Sequence, residues 1–586
     1  MHVREHNFKI FRFTAAATAA VSLVAGALRV LRAASRRQWA FGLALGSTLA
    51  VLTVLGQAID PLATSKPTSW GWMLLRAAGL TCVMSCLLTA LKWWLDRIST
   101  APESPGPGPL AALARARNSA ILFAAIVALK VPFLALVWPG VVPYDTYRSY
   151  AYLEGTWRWS YYEPTGHTAW VGLTRWVGLG LGLGDAGAVA IAVILQTLFL
   201  AAVSALLLTR LAVWGLHPAL WWLSACWIAL SPALGTFSAI QVKDTPFAIA
   251  FTLFLTCLGE VVLSQEPSRR WPWIWLTLGA LLTIVFRNNG IHVVALTLAA
   301  ALVLSRQWWR RWLTLSAIAG VAYALYVGPL FVALDAKGPP PTEAYSLPLQ
   351  QMARIAHDHV PELSADDRAM FARNFDGATP EEVGAAYDPV VSDPVKNIAN
   401  RSWDSHGTSQ LLADWRGLVA EYPTSAIAAT LEQSVGYWSP DATLVRGPYL
   451  RSATYHPSGV HLALGHPGHV RDGLIKHSGL GSRSTPSHEP AFRRIPLVGL
   501  AFSPGAVVWC WVIAGTILIT RRSWPRLLIV VPPAALMATV LAGPQGGSIR
   551  YTLALFLALP LAAVAALPRQ TYPSWLHRQT SGRPSA

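Results

Sequence analysis

Charge is what this 586-residue chain has least of: Asp, Glu, Lys and Arg make up 13% of it, about half the share of an average soluble protein. That scarcity, with 53% hydrophobic residues and 27 tryptophans, excludes an ordinary cytosolic enzyme and points to a membrane protein. Cysteine is scarce too. Cys82, Cys86, Cys226, Cys257 and Cys510 all fall in apolar runs, so the long polar segment 335–494 has no disulfide framework and the chain has no CxxC metal pattern. Walker A, HExxH and GxSxG are absent, and GLGLGLGD at 178–185 lacks the strand-before-helix context of a dinucleotide site. No internal repeat is evident.

The net charge of +17 is unevenly placed. Residues 335–494 hold 18 acids and 14 bases, a net of −4, whereas the rest holds 11 acids and 32 bases, a net of +21. The excess of bases therefore belongs to the membrane part, where Lys and Arg set topology, and nucleic-acid binding is not needed to explain it.

A helix crossing a hydrocarbon core of about 30 Å needs some 17–25 apolar residues. The chain offers twelve such segments: 38–58, 71–91, 119–138, 186–208, 217–236, 245–264, 271–287, 290–305, 312–334, 500–520, 525–542 and 549–567. With residue 1 inside, the cytoplasmic connections hold 23 bases, against six in the short outer connections: Lys66, Arg148, Arg158, Lys243, Arg287 and Arg550. Both termini are thus expected inside. Residues 13–31 are read as a helix on the cytoplasmic surface, in preference to a further span or a signal peptide. The stretch 167–184, which contains Arg175, is read as a helix in the outer interface. The expected plan is a cytoplasmic segment 1–37, a first membrane pair with its linker (38–118), a core at 119–334 with an outer loop at 139–185, a mainly helical outer domain at 335–494, closing helices at 495–567 and a tail at 568–586. Helix starts are marked at Ser364-Ala-Asp-Asp and Thr379-Pro380-Glu381-Glu382.

Ionisable groups at the ends of apolar helices are costly, which makes the few outward ones the functional candidates. Asp145 follows the Trp138-Pro-Gly break among Tyr144, Tyr147, Tyr150 and Tyr152. A carboxylate there suits a general base for a hydroxyl, or a helix start. Lys243-Asp244 at the outer start of a span suits a phosphate contact and an acceptor contact, or a cap and an interfacial ion pair. Arg287-Asn288-Asn289-Gly290 suits a phosphate oxygen, or an ordinary turn with a snorkelling Arg. Lys130 inside the third span and Arg550-Tyr551 at the start of the last are further anion candidates, and Glu163 and His167 lie where they can assist Asp145. His357-Asp358-His359 and the histidines from His456 to His477 leave a divalent metal open, although a polar loop explains their scattered spacing as well.

The segments PGVVPYD (139–145), VKDTPF (242–247), FRNNG (286–290), SLPLQQMARI (346–355), SDPVK (392–396), EYPTSAIAATLEQSVGYWSP (421–440) and SIRYTLALFLALP (548–560) occur in an order that resembles the GT-C superfamily of polytopic membrane glycosyltransferases, in particular a bacterial group of GT-C-like integral membrane proteins. The resemblance implies a bundle of about 12 transmembrane helices with a mainly helical extracytoplasmic domain, in a bacterial plasma membrane. It implies transfer of a sugar from a polyprenyl-phosphate donor to an envelope glycan or lipid acceptor. Carried over by position, the superfamily's loop carboxylate falls on Asp145 as the catalytic base; the chemistry of such a reaction then assigns Lys243, Arg287, Arg550 and Lys130 to the donor phosphate and Asp244, Tyr144, Glu163, His167, Asn288, Tyr437 and Trp438 to the sugar and acceptor, with Tyr422 a further stacking candidate. Where many members have two adjacent acids or a His-Pro, this chain has Asp145-Thr146 and His167-Thr168. A transporter or lipid-linked glycan flippase is the rival expectation, and an envelope scaffold a third.

Overall fold

A computed structural model describes residues 28–63, 66, 69–100, 116–263, 270–339, 341–400, 405–443, 499–543 and 545–567. Nearly all of the surface helix expected at 13–31, and the histidines from 456 to 477, lie outside the described residues. Among those described, the chain is helical, with three isolated β-bridges and no strand. It is an all-α membrane protein.

The described residues fall into two compact units, 28–58, 66, 69–100 and 567 in the first and the others in the second. The first unit contains most of α1 (Arg36–Ile59) and α2 (Trp70–Thr100). These two pack through small residues, since a Cβ on Gly46 would stand 2.5 Å from the backbone nitrogen of Ser85.

The membrane part of the second unit runs through α3 (Ala116–Leu136), α4 (Tyr144–Leu153), α5 (Thr165–Gly180), α6 (Gly184–Val213), α7 (Pro218–Leu230), α8 (Pro232–Ser238), α9 (Asp244–Leu263), α10 (Arg270–Phe286), α11 (Gly290–Leu304) and α12 (Trp309–Leu325). Six polar-segment helices follow: α13 (Ser346–His359), α14 (Ala365–Asn374), α15 (Pro380–Ala385), α16 (Asp393–Ile398), α17 (Ser405–Glu421) and α18 (Pro423–Trp438). The chain closes with α19 (Pro504–Thr520), α20 (Val531–Leu541), α21 (Ile549–Ala558) and α22 (Pro560–Ala566).

All twelve expected spans coincide with helices, yet seven of those helices are long and apolar enough to cross a membrane singly, or nine segments if two bent pairs each make one span. The pairs are α7–α8, bent by 41°, and α21–α22, bent by 48°. Helices α10, α11 and α19 have 15–17 residues. At 1.5 Å per residue they reach only about 22–26 Å, short of the hydrocarbon thickness. Large apolar side chains such as Trp222, Leu223, Val303 and Val321 are more than half exposed, as a lipid-facing surface requires and an aqueous one does not tolerate.

Helix α9 is central to this unit: 78% of its apolar window is buried, against 11% for α3. It meets α10 at backbone distance, where a Cβ on Gly279 would lie 2.8 Å from Phe254 Cα. Helix α5 has 16 residues and folds back on α6, because Gly178 lets it approach the backbone of Ala188. The polar-segment helices form their own core around Leu349, Met352, Phe371, Phe375, Val383, Leu411 and Leu418. Ser364 and Thr379 close reciprocal capping boxes with Asp367 and Glu382, starting α14 and α15.

Candidate functional site

The site is built first by backbone. After α3 the chain turns at Gly140, whose φ of +139° strongly favours glycine, and Val141 then pairs in parallel with Ile240. The amide of Val141 donates to the Ala239 carbonyl at 3.0 Å and the amide of Gln241 donates to the Val141 carbonyl at 2.9 Å. The Gln196 side chain holds the other side of that strip through the carbonyls of Ser238 (2.7 Å) and Ile240 (2.8 Å). The bridge places the start of α4 beside the start of α9, so Asp145 and Lys243-Asp244 face one another. Thr146 Oγ1 donates to the Gln241 carbonyl, and the Tyr150 hydroxyl donates to Gln241 Oε1 at 3.1 Å.

Gly166 supplies a second close approach: a Cβ there would meet the carbonyl oxygen of Val285 at 2.6 Å. This seats the first turn of α5, with His167, against the end of α10, with Arg287. Asn288 of the following turn donates to the carbonyls of Tyr161 (3.0 Å) and Tyr162 (3.2 Å), and Asn289 donates to Thr539 Oγ1 at 2.7 Å.

Seven charged side chains converge there. The Arg550 guanidinium forks between Asp145 and Asp244, donating to both. Arg287 Nη1 stands 3.0 Å from Asp244 Oδ1. Lys243 Nζ lies 2.7 Å from Glu163 and 3.5 Å from Asp145, and Arg148 Nη1 lies 3.4 Å from Glu163. Three carboxylates thus face four cations. The Arg148 guanidinium is sandwiched between the rings of Tyr144 (4.7 Å) and Tyr162 (4.4 Å). Asp145 and Arg148 keep 22% and 20% of their side-chain surface exposed, whereas Asp244 and Glu163 keep none. The network therefore opens toward α4 and is sealed behind it.

Burial acts on every member, and the partners decide the net result. Desolvation pushes the Asp145 carboxyl up, but the charges of Arg550, Lys243 and Arg148 more than offset it and hold the group well below the usual carboxylate range. Glu163 moves the other way: burial raises it, and Lys243 and Arg148 pull back without reversing that. His167 is pushed down to about 3, by burial first and by Lys243 next, so its ring is neutral near pH 7. Its Nε2 lies 3.4 Å from Thr146 Oγ1.

Other sequence candidates are placed elsewhere or otherwise employed. Lys130 is fully buried and donates to the carbonyls of Ile228 (2.9 Å) and Ala229 (3.0 Å), at the C-terminal end of α7 where the span bends. Its ammonium thus serves a helix end, and none of these contacts joins it to the charged cluster. Tyr437 is 1% exposed and offers no ring face for stacking; its hydroxyl donates to the Gln545 carbonyl and accepts from the Ser548 amide. The Trp438 indole donates to Ser434 Oγ, and the Tyr422 ring packs against His359 at 4.5 Å. Among the described residues no group of three or more His, Cys, Asp or Glu converges as a metal site would require. Arg148, Tyr162 and Gln241 are members that sequence reasoning passed over. Arg148 had a local signal, because it lies three residues after Asp145 and a helix turns both to one side.

A family model matches residues 162–580 of the chain. The chain belongs to DUF6020, a family of unknown function. The stretch of this DUF6020 chain so matched contains Glu163, Lys243, Asp244, Arg287 and Arg550, while Asp145 and Arg148 precede it. No curated protein and no solved structure matches the chain.

Proposed function

We propose that this protein is a GT-C-type membrane glycosyltransferase, which moves a sugar from a polyprenyl-phosphate donor to an extracytoplasmic glycan or lipid acceptor. The observation that carries the reading is the Arg550 fork between Asp145 and Asp244, with Lys243 beside Asp145 and one cation more than carboxylates in the cluster. A site with surplus positive charge, at the ends of apolar helices and open on one side, suits the phosphate of a lipid-borne donor.

In the proposed reaction the acceptor hydroxyl oxygen attacks the anomeric carbon, and the bond from that carbon to the phosphate oxygen breaks. The electron pair leaves with the polyprenyl phosphate, and the hydroxyl proton passes to Asp145. Attack opposite the leaving group inverts the anomeric centre. Asp145 is a weak base while Arg550 and Lys243 hold it. A donor phosphate that draws these cations to itself frees the carboxylate and raises its basicity, so base and leaving-group stabilisation arise together. Each contributes a factor of roughly 10²–10³ to the rate. The reading places the protein in a bacterial plasma membrane with twelve crossings, both termini inside and the cluster outside.

Purified protein supplied with radiolabelled polyprenyl-phosphate sugars and envelope extracts should move label from lipid to acceptor, and Asp145→Asn should not. No transfer from any lipid donor removes the proposal. One observation favours a transporter or lipid-linked glycan flippase instead: the bends in α7–α8 and α21–α22, since broken helices line many transport sites. Movement of intact lipid-linked glycan across proteoliposomes, without bond cleavage, would decide for that alternative.

A further inference from the structure

The loop that leads into Arg550 is held by the helices of the polar segment. Gln433 Nε2 donates to the Gly543 carbonyl at 3.3 Å, and the Gly546 amide donates to the Val390 carbonyl at 2.9 Å. Val391 and Gln545 form an antiparallel bridge. The buried Tyr437 hydroxyl is the centre of this clamp: it donates to the Gln545 carbonyl at 2.8 Å and accepts from the Ser548 amide at 3.0 Å. Ser548 is the N-cap of α21, and Arg550 is the second residue of that helix. One hydroxyl therefore fixes both sides of the turn from which the Arg550 side chain departs. Helix α18, which carries Tyr437 and Gln433, packs on α13 and α19, so the clamp is anchored in the core of the polar segment and in the membrane part.

We infer that Tyr437 is a positioning residue, through which the polar-segment helices set the reach of Arg550 to Asp145 and Asp244 and thereby the strength of the anion site. The inference rests on the proposed function only in taking the ligand to be a phosphate. A hydrogen bond satisfied on both sides orients what lies beyond it, and a site whose supporting contacts are loosened loses affinity before it loses its fold. Changes within the polar segment, such as an acceptor bound there, would by the same link alter the anion site.

The test uses the full chain in nanodiscs, comparing the unaltered protein with Tyr437→Phe and with Ser548→Pro. The second variant removes the same bond from its donor side, at a φ of −79° that suits proline. The Asp145 titration is read by difference infrared spectroscopy against Asp145→Asn, and affinity is read with farnesyl phosphate. The groups around Asp145 are Arg550, Lys243, Arg148, Glu163, Asp244 and His167, and of these only Arg550 follows directly from the clamped turn. Both variants should move the Asp145 titration upward, by about one pH unit, and weaken farnesyl phosphate binding about fivefold. If neither variant moves the Asp145 titration, Tyr437 is merely structural and the inference is overturned. If the titration moves but the unaltered protein does not bind farnesyl phosphate, the positional link stands and the phosphate reading falls.

Discussion

Arg550, in the first turn of α21, donates to the carboxylate of Asp145, in the first turn of α4. Neither group is free in this arrangement, because Arg550 also holds Asp244, and Lys243 approaches Asp145 from the other side. A general base kept this firmly is idle until something competes for its partners. The first consequence is kinetic: Asp145→Asn should leave folded protein in the membrane and lower sugar transfer by about 10²–10³ in kcat, measured with the lipid-linked donor that supports turnover.

Asp244 is fully buried between Arg550 and Arg287, so its removal takes the carboxylate from Arg287 and leaves Arg550 with Asp145 alone. Asp244→Ala should cost about 3–5 kcal/mol of stability. The combined Asp244→Ala, Arg287→Met variant should recover part of that loss, and a thermal-denaturation cycle on the four proteins checks the coupling.

His167 and Asp145 should give the acid limb of the stability curve two stages. The folded chain holds His167 down at about 3, below its unfolded value of about 6.5. Its contribution is therefore complete above about pH 6.5 and is lost as pH falls toward 3, amounting to about 2 kcal/mol by pH 5. Asp145 is also depressed in the folded state, so its share is present above about pH 4 and disappears below it. Glu163, raised by burial, works in the opposite sense. His167→Gln should flatten the first stage and Asp145→Asn the second, followed by tryptophan fluorescence during thermal unfolding.

Lys130 caps a bent span by donating to the Ile228 and Ala229 carbonyls. Lys130→Met should destabilise the protein by about 1–3 kcal/mol, because buried acceptors lose their donor. Farnesyl phosphate affinity should not change, whereas Lys243→Met should weaken it at least tenfold.

Gly166 lies against the Val285 carbonyl. Gly166→Ala forces α5 away from α10 and should cost about 1–3 kcal/mol, read as a lowered Tm.

Local signals read well in this chain, and the spatial ones did not. The capping boxes at Ser364 and Thr379 are visible because every group they need lies within four residues. Lys243, Asp244, Arg287 and Arg550 stand out because charge beside apolar helices is rare. Arg148 is legible only if the helix-start reading of Asp145 is followed through, since the helix Tyr144–Leu153 is what brings the two to one side. Tyr437 looks from sequence like a ring available for stacking, since nothing local shows which face of α18 is buried. The breaks at Ser231 and at Leu559-Pro560 sit inside apolar runs that hydropathy alone reads as continuous.

The partners of Arg550 have a consequence for biogenesis. Asp145 emerges from the ribosome 405 residues before Arg550 and Asp244 306 residues before it. Until the last hairpin is inserted, these acids lack the guanidinium that bridges them, and a chain stopped short of α21 sets three acids against three bases, without the surplus cation of the finished cluster. The bridge that ties the start of α4 to the start of α9 is therefore the last part of the cluster to be made.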